Sequence, residues 1–235
     1  MNMTYRILGI SGSPVKKGNV ETLLDRAVEG LPAKSIEREV VHLSGLKIQD
    51  CIHCNFCLTK QTPGKYCSLK DDAQVVFEKA EAADIIVLAS PVYFMRTSAR
   101  MAAMLDRLRV FVFGNLTAGR MKNKIGVSMA AAWLRNGGLE TTHLTHILAF
   151  LTLEMIPAST HKSASPLGAS VLTSLHGPEN ADSHLSWGVE NDETGIQSAR
   201  LIMQRALELT KLTHTLRKDV PILLRKKEKD NENSL

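Results

Sequence analysis

The sequence predicts an α/β fold: a doubly wound, five-stranded parallel sheet with helices on both faces. Three observations carry this expectation. Apolar, β-prone runs alternate with stretches of helical periodicity five times along the chain, as in a sheet built from βαβ units. The run IIVLA at 85–89 is apolar at every position, as a central strand covered on both faces must be. A chain of 235 residues with 44% hydrophobic content also suffices to fill the core of one such domain. The expected strand order is 2-1-3-4-5 with right-handed crossovers. Such sheets bind ligands outside the carboxyl ends of their strands, where the order reverses.

Residues 5–10, YRILGI, form the first expected strand. The loop SGSPVKKGN at 11–19 follows. Leu23, Leu24, Ala27, Val28 and Leu31 then recur at helical spacing. A strand, a loop of small residues and a helix N-terminus can cradle a phosphate, because backbone N–H groups and hydroxyls point inward and the helix dipole favours an anion. Ser11, Ser13, Gly18 and Asn19 are the candidates, with the backbone N–H of Val20 and the cations Lys16 and Lys17 beside them. An ordinary strand–helix turn reads the same way. The loop is neither G-x-G-x-x-G nor a Walker loop.

Residues 37–43 form the second expected strand, and a helix over 68–83 opens with Asp71 and Asp72, where acids are favourable. The third strand ends in Pro91-Val92-Tyr93-Phe94. A planar cofactor could dock on this loop at the carboxyl end of a central strand; the competing reading is that the aromatic pair caps the core. A helix over 97–111 has Thr97 or Ser98 as its cap and Met101 and Met104 as core or subunit contacts. Residues 122–132 form the fourth strand. Gly137 and Gly138 open the next helix and leave room for a ring or phosphate, unless helix packing requires them. His143 and His146 lie three apart on that helix; a metal pair there would need a carboxylate partner. TLEMI at 152–156 is the fifth expected strand. Residues 157–192 form a long segment rich in Ser, Ala, Gly and Pro, of the kind that makes lids or interfaces. Its Trp187 is expected to cover a cofactor edge or meet another subunit. The main domain spans 1–217, with its last helix over 193–217, and 218–235 form a charged tail.

The four cysteines of the chain all lie in one stretch: Cys51, Cys54, Cys57 and Cys67, spaced C-x2-C-x2-C-x9-C. Thiolates are soft ligands, and steps of three let side chains converge from one curled loop. The spacing leans toward a [4Fe–4S] cluster, since zinc sites more often use two separated C-x2-C pairs. Zinc and redox-active thiols stay open on spacing alone.

The formal net charge is +5. Acids within the basic tail and the lack of interleaved aromatics argue against nucleic-acid binding. A modest positive field could steer a dinucleotide phosphate or an acidic electron carrier. No apolar run reaches membrane-spanning length and the N-terminus runs straight into a strand. The expectation is a cytoplasmic protein without a membrane partner, in which clustered cysteines bind metal or do chemistry.

SGSPVKKGN, the four-cysteine loop followed by KDD, and SPVYFMRTSARMAAMLDR resemble the iron–sulfur flavoproteins within the NADPH-dependent FMN reductase group, over roughly residues 5–155. The resemblance implies a flavodoxin-like fold and an FMN whose phosphate is held by the S-x-S-x-x-x-x-G-N loop. It also implies a homodimer or homotetramer, and a [4Fe–4S] cluster close to flavin, its own or a neighbouring subunit's. The implied function is electron transfer between FMN and the cluster, with NAD(P)H or a ferredoxin-like protein as donor or acceptor. No side chain need act as acid or base, since the flavin carries the chemistry. The chain departs from the family pattern twice: Val20 stands where a threonine is usual, and the gap before Cys67 is nine residues. The rival readings are a cluster-free NAD(P)H-dependent FMN or quinone reductase, and a non-enzymatic electron carrier or redox sensor. Small flavodoxin carriers usually present an acidic face, unlike this basic chain.

Overall fold

The computed structural model describes residues 4–174 and 188–232, with side chains through 214. The apolar runs pair in parallel. β1 (Tyr5–Ser11) lies between β2 (Ile36–His42) and β3 (Ile85–Tyr93), and β5 (Ile125–Ala132) lies beyond β3. Every residue of β5 is buried, as expected of a strand covered on both faces.

Alternation along the strands sorts their side chains into two cores. Ile7, Ile85, Val87, Ile125 and Val127 pack against α1 (Asn19–Ala27) and α7 (Glu193–Glu232), meeting Leu23, Leu24, Ile202 and Met203. Leu8, Ile10, Ile86 and Leu88 face the other way. They pack on α3 (Ala73–Ala82), α4 (Ala99–Arg107) and α5 (Arg109–Phe113) through Phe77, Met101, Met104 and Phe111. Phe150 joins this second core from α6 (Leu139–Thr152). The methionines are core residues, as the sequence suggested.

The fifth position of the sheet differs from expectation. It is shared by two short strands, both parallel to β5: β6 (Ile156–Pro157) beside Ile125 and Gly126, and β7 (Ala169–Leu172) beside Met129 to Ala132. Of TLEMI, Thr152 still belongs to α6 and only Ile156 pairs. The strand path is β2-β1-β3-β5-β6, the expected order once β4 (Arg96–Thr97), which only folds back on β3 as a hairpin, is set aside. The segment 157–192 therefore contains a sheet strand; Trp187 lies outside the described residues. α7 continues to Glu232 rather than ending at 217. Among the described residues no helix is long and apolar enough to cross a membrane.

Candidate functional site

The loop after β1 is closed by its own hydroxyls. Ser11 and Ser13 are buried. Ser11 Oγ accepts from the Ser13 N–H at 3.4 Å, and Ser13 Oγ accepts from the Val15 N–H at 3.1 Å while donating to the Val15 carbonyl at 3.2 Å. Gly18 is the N-cap of α1 and gives no side-chain cap bond, so first-turn N–H groups are left for a ligand. Val20 is 2% exposed and belongs to the core; only its backbone can serve the loop. Asn19 behaves differently from expectation. Its side-chain oxygen accepts the Val189 N–H at 2.9 Å, tying the segment before α7 to the loop. Lys16 and Lys17 are exposed, and the Lys17 N–H is held by Glu21 at 2.5 Å.

Ser98 joins this loop to the one after β3. Its Oγ donates to the Gly12 carbonyl at 2.8 Å and caps α4 by accepting the Met101 N–H, while its own N–H donates to Ser90 Oγ at 2.9 Å. Gly12 is obligatory in this contact, since a Cβ there would stand 2.8 Å from Ser98 Oγ and 2.9 Å from Met101 Cβ. The structure thus brings Ser11, Ser13 and Pro91 to one carboxyl edge.

Val92 and Tyr93 pair with Thr97 and Arg96, which puts Phe94 and Met95 at the tip of a two-residue hairpin. Both have left-handed backbones, φ +48° and +58°, as a turn matched to strand twist requires. Neither is Gly or Asn, so the turn is strained. Phe94 is 100% exposed and Tyr93 47%: neither caps the core. Gly138 packs on this hairpin, as the helix-packing reading had it. A Cβ on Gly138 would lie 2.3 Å from Met95 Cα, and its φ is +106°; Thr141 Oγ1 also bonds the Met95 carbonyl. Gly137 closes a turn onto Leu134 at 3.1 Å. Gly138→Ala is expected to destabilise the protein by about 1–3 kcal/mol, read as a lower denaturant midpoint.

The cysteine loop is anchored at both ends. Asp72 Oδ2 accepts the Lys47 N–H at 2.7 Å and Asp71 Oδ2 the Gln49 N–H at 3.1 Å. Arg107, at the end of α4 and 1% exposed at its side chain, donates to both oxygens of Asp71 at 2.5 and 3.0 Å and to the Gln49 carbonyl at 2.9 Å. Burial alone would raise the Asp71 carboxyl; Arg107 and the Gln49 and Ala73 N–H groups outweigh it and hold the carboxyl below its usual range. Burial works against the Arg107 charge too, but Asp71 and the neighbouring Cys67 sulfur hold it.

The insertion before Cys67 is firmly held. Pro63 and Gly64 form a tight turn, closed by hydrogen bonds of 3.1 and 2.9 Å between Thr62 and Lys65, with Gly64 at φ +76°. Buried Gln61 accepts the N–H groups of Leu116 and Thr117 and donates to the carbonyls of Tyr66 and Val110. The Asn115 N–H binds the Cys57 carbonyl at 2.9 Å.

All four thiols are free. His53 and Asn55, at φ +53° and +58°, curl the loop between them, ahead of the single-turn α2 (Phe56–Thr59). Burial pushes the Cys57 thiol up, and the charges of Cys51 and Cys67 add to this. Cys54 is exposed and lies 2.9 Å from Ser68 Oγ; that bond, then the Phe56 backbone, draws its thiol down. Arg109 favours the thiolate at Cys54 and Cys57 and bonds Asn55 at 2.8 Å. Soft donors with two guanidinium groups beside them suit a cluster chemically. As they stand, no three His, Cys, Asp or Glu side chains among the described residues converge as a metal site.

α4 joins the two halves of the site. Its Ser98 end holds the phosphate-type loop and its Arg107 end holds the cysteine loop, about 13 Å apart along the helix. His143 and His146, a conceivable metal pair only with a carboxylate partner, bond serine hydroxyls instead. A cavity of about 460 Å³ lies between β2 and α3. Of its charged lining, Arg6 pairs with Glu37 and Lys79 with Glu39, and Glu78 accepts from Gln74; it is remote from the carboxyl edge. Ser98, Arg107 and Gln61 are the organising residues that motif reading passed over. Ser98 did carry a signal, as a cap residue before an apolar helix.

Parallel-sheet order and paired loops at the carboxyl edge define a flavodoxin-like α/β protein. The model of the NADPH-dependent FMN reductase family matches residues 5–169, and the chain belongs to that family of flavin-dependent oxidoreductases. It is 31% identical over 207 residues to an iron-sulfur flavoprotein of Methanocaldococcus jannaschii, covering 88% of this chain and 98% of that protein. It is 31% identical over 212 residues to an iron-sulfur flavoprotein of Archaeoglobus fulgidus, covering 90% and 98%. Among solved structures, RosB with a bound 8-demethyl-8-formylriboflavin-5'-phosphate intermediate superposes with a TM-score of 0.69 at 15% identity, covering 97% of this chain and 88% of that one; this likeness is one of fold.

Proposed function

We propose that the protein passes electrons between a bound FMN and a [4Fe–4S] cluster held by Cys51, Cys54, Cys57 and Cys67. The observation that carries this is full-length similarity to proteins named iron-sulfur flavoproteins, in a chain whose four free thiols share one anchored loop. FMN exchanges electrons in pairs or singly, and a cluster exchanges them singly. The chain's own residues place and tune these groups. The uncapped start of α1, the N–H groups of Asn19 and Val20 and the Ser11 hydroxyl bind the phosphate, joined by the Ser13 hydroxyl when it turns from the Val15 carbonyl, and Gly18 lets it approach. Pro91, Val92 and Tyr93 line the ring site, Phe94 shields it from water, and the Gly137–Gly138 turn borders it. Arg107 and Arg109 offset the charge of the thiolates. NAD(P)H or a ferredoxin-like protein is the partner. A second copy of the chain, in a homodimer or homotetramer, covers Leu144, Leu148 and Leu151, which α6 exposes at one-turn intervals.

The second reading, a cluster-free NAD(P)H-dependent FMN or quinone reductase, is favoured by the engagement of Cys54 with Ser68. Cys57→Ala separates the two. Under the main reading it loses iron, keeps FMN and no longer reduces a one-electron acceptor at the parent rate. Unchanged reduction of such an acceptor by the iron-free variant would favour the cluster-free reductase.

A further inference from the structure

Two imidazoles stand in the core with no part in the reading above. His143 and His146, one turn apart on α6, are fully buried. Their Nδ1 atoms lie 2.7 and 2.8 Å from a single oxygen, Ser128 Oγ on β5. Beyond them, His146 Nε2 lies 3.1 Å from Thr97 Oγ1 on β4, and His143 Nε2 lies 2.9 Å from Ser170 Oγ on β7. Thr97, His146, Ser128, His143 and Ser170 form one unbroken chain of hydrogen bonds. Gly168 makes room for it, since a Cβ there would stand 2.4 Å from His143 Nδ1. The outer end, Ser170, lines a cavity of about 430 Å³ with Arg135, Asp192 and Glu193. The inner end, Thr97, pairs with Val92 on the hairpin and precedes Ser98, which holds the phosphate-type loop. A core that needed only packing would use apolar side chains here; a fully satisfied buried polar chain is a specific arrangement.

The proton count fixes what the chain can do. Burial pushes His143 down to about 4 and His146 down to about 3, the latter also repelled by His143, while Glu140 partly offsets the effect on His143. Both rings are therefore neutral near neutral pH, with one N–H each. Ser128 has one proton and faces two Nδ1 atoms. If it donates to one ring, the other ring donates to it, and the rings hold opposite tautomers. In one arrangement every bond points inward: Ser170 to His143, His143 to Ser128, Ser128 to His146, His146 to Thr97. In the other, every bond points outward.

We propose that this chain is a proton relay between the hairpin and the Ser170 cavity, serving the flavin held at the hairpin; it rests on the FMN reading. Water in the cavity protonates Ser170 Oγ as Ser170 gives its own proton to His143 Nε2. His143 gives its Nδ1 proton to Ser128, and Ser128 gives its proton to His146 Nδ1. His146 then gives its Nε2 proton to Thr97, which releases its own on the hairpin side. Each hydroxyl ends with one proton and each ring ends neutral in its other tautomer. One proton has entered, and no charge remains on the chain. The buried rings need not turn, because the same steps reversed carry the proton out. A flavin held at the hairpin would supply a site that gains a proton on two-electron reduction and loses it on reoxidation, its electrons exchanged with an iron–sulfur cluster or a ferredoxin-like carrier. A wire that moves one proton in and then out matches that cycle.

The test uses the flavin-bearing protein labelled with 15N in its histidine rings, observed anaerobically by NMR before and after reduction with dithionite. His143 and His146 are expected to show opposite tautomers and to exchange them on reduction. In flavin-replete Ser128→Ala the exchange is lost, and proton uptake after reduction, followed with an indicator dye, slows about 100-fold. If Ser128→Ala does not retain flavin, Thr97→Val, which cuts the chain at its inner end, is read in the same way. Identical tautomers, tautomers that stay put on reduction, or uptake at the parent rate in a flavin-replete variant would each overturn the relay. Lack of flavin absorbance in the parent protein overturns the FMN reading and the relay with it. Flavin present with unresponsive histidines overturns the relay alone.

Discussion

Asp71→Ala is expected to destabilise the protein by about 3–5 kcal/mol, the range for removing one partner of a buried ion pair. Arg107 has almost no exposed side-chain surface, and Asp71 has 9%. Without the carboxylate, a guanidinium remains in the core with the Gln49 carbonyl and the Cys67 sulfur beside it but no carboxylate to balance its charge. The Gln49 N–H loses its acceptor, just ahead of α3, as well. Denaturant unfolding reads this as a lower midpoint at an unchanged m-value. Replacing both members, Asp71→Leu with Arg107→Met, is expected to recover much of the loss, because the double variant buries no unpaired charge. A loss below about 1 kcal/mol in Asp71→Ala, as for an exposed pair, would mean that water reaches Arg107.

Acidification is expected to have an effect of similar size through the two core histidines. Their folded values, about 4 and about 3, lie below the ordinary 6.5. Below pH 6.5 the unfolded chain therefore binds more protons than the folded one, and stability falls as pH falls. The contribution is complete above about pH 6.5 and is lost progressively toward pH 4 and then pH 3. While both groups titrate only in the unfolded chain, the loss is roughly 1.4 kcal/mol per pH unit for each ring. Denaturant midpoints at pH 7, 6 and 5 measure it; a flat profile across that range would show the imidazoles to be solvated.

Much of the sheet was legible because its central strands are continuous apolar runs. The loop after β1 and the cysteine stretch stood out for their composition, and the order of the strands followed from their alternation with helices. The fifth position was harder to read. β6 has two residues and β7 four, too few for a period to show, and the chain between them carries no pattern of its own. The β3–β4 hairpin was hidden because Phe94 and Met95 occupy a turn that Asn and Gly usually mark. Asn19 and Gly138 were noticed for the right loops, but their partners, Val189 and Met95, are distant in sequence and leave no local trace. The histidine pair was visible as a spacing; its chemistry depends on Ser128, Thr97 and Ser170, which only the fold brings together. Arg107 looked like one more helix charge until burial and Asp71 gave it a place.

The most direct measurement of the central proposal is the absorbance spectrum of anaerobically purified protein, with FMN, iron, sulfide and zinc determined on the same sample. The expected result is stoichiometric FMN beneath broad iron–sulfur absorbance, with iron and sulfide in the equal ratio of a [4Fe–4S] cluster. Stoichiometric zinc without iron, or protein free of flavin, would contradict it.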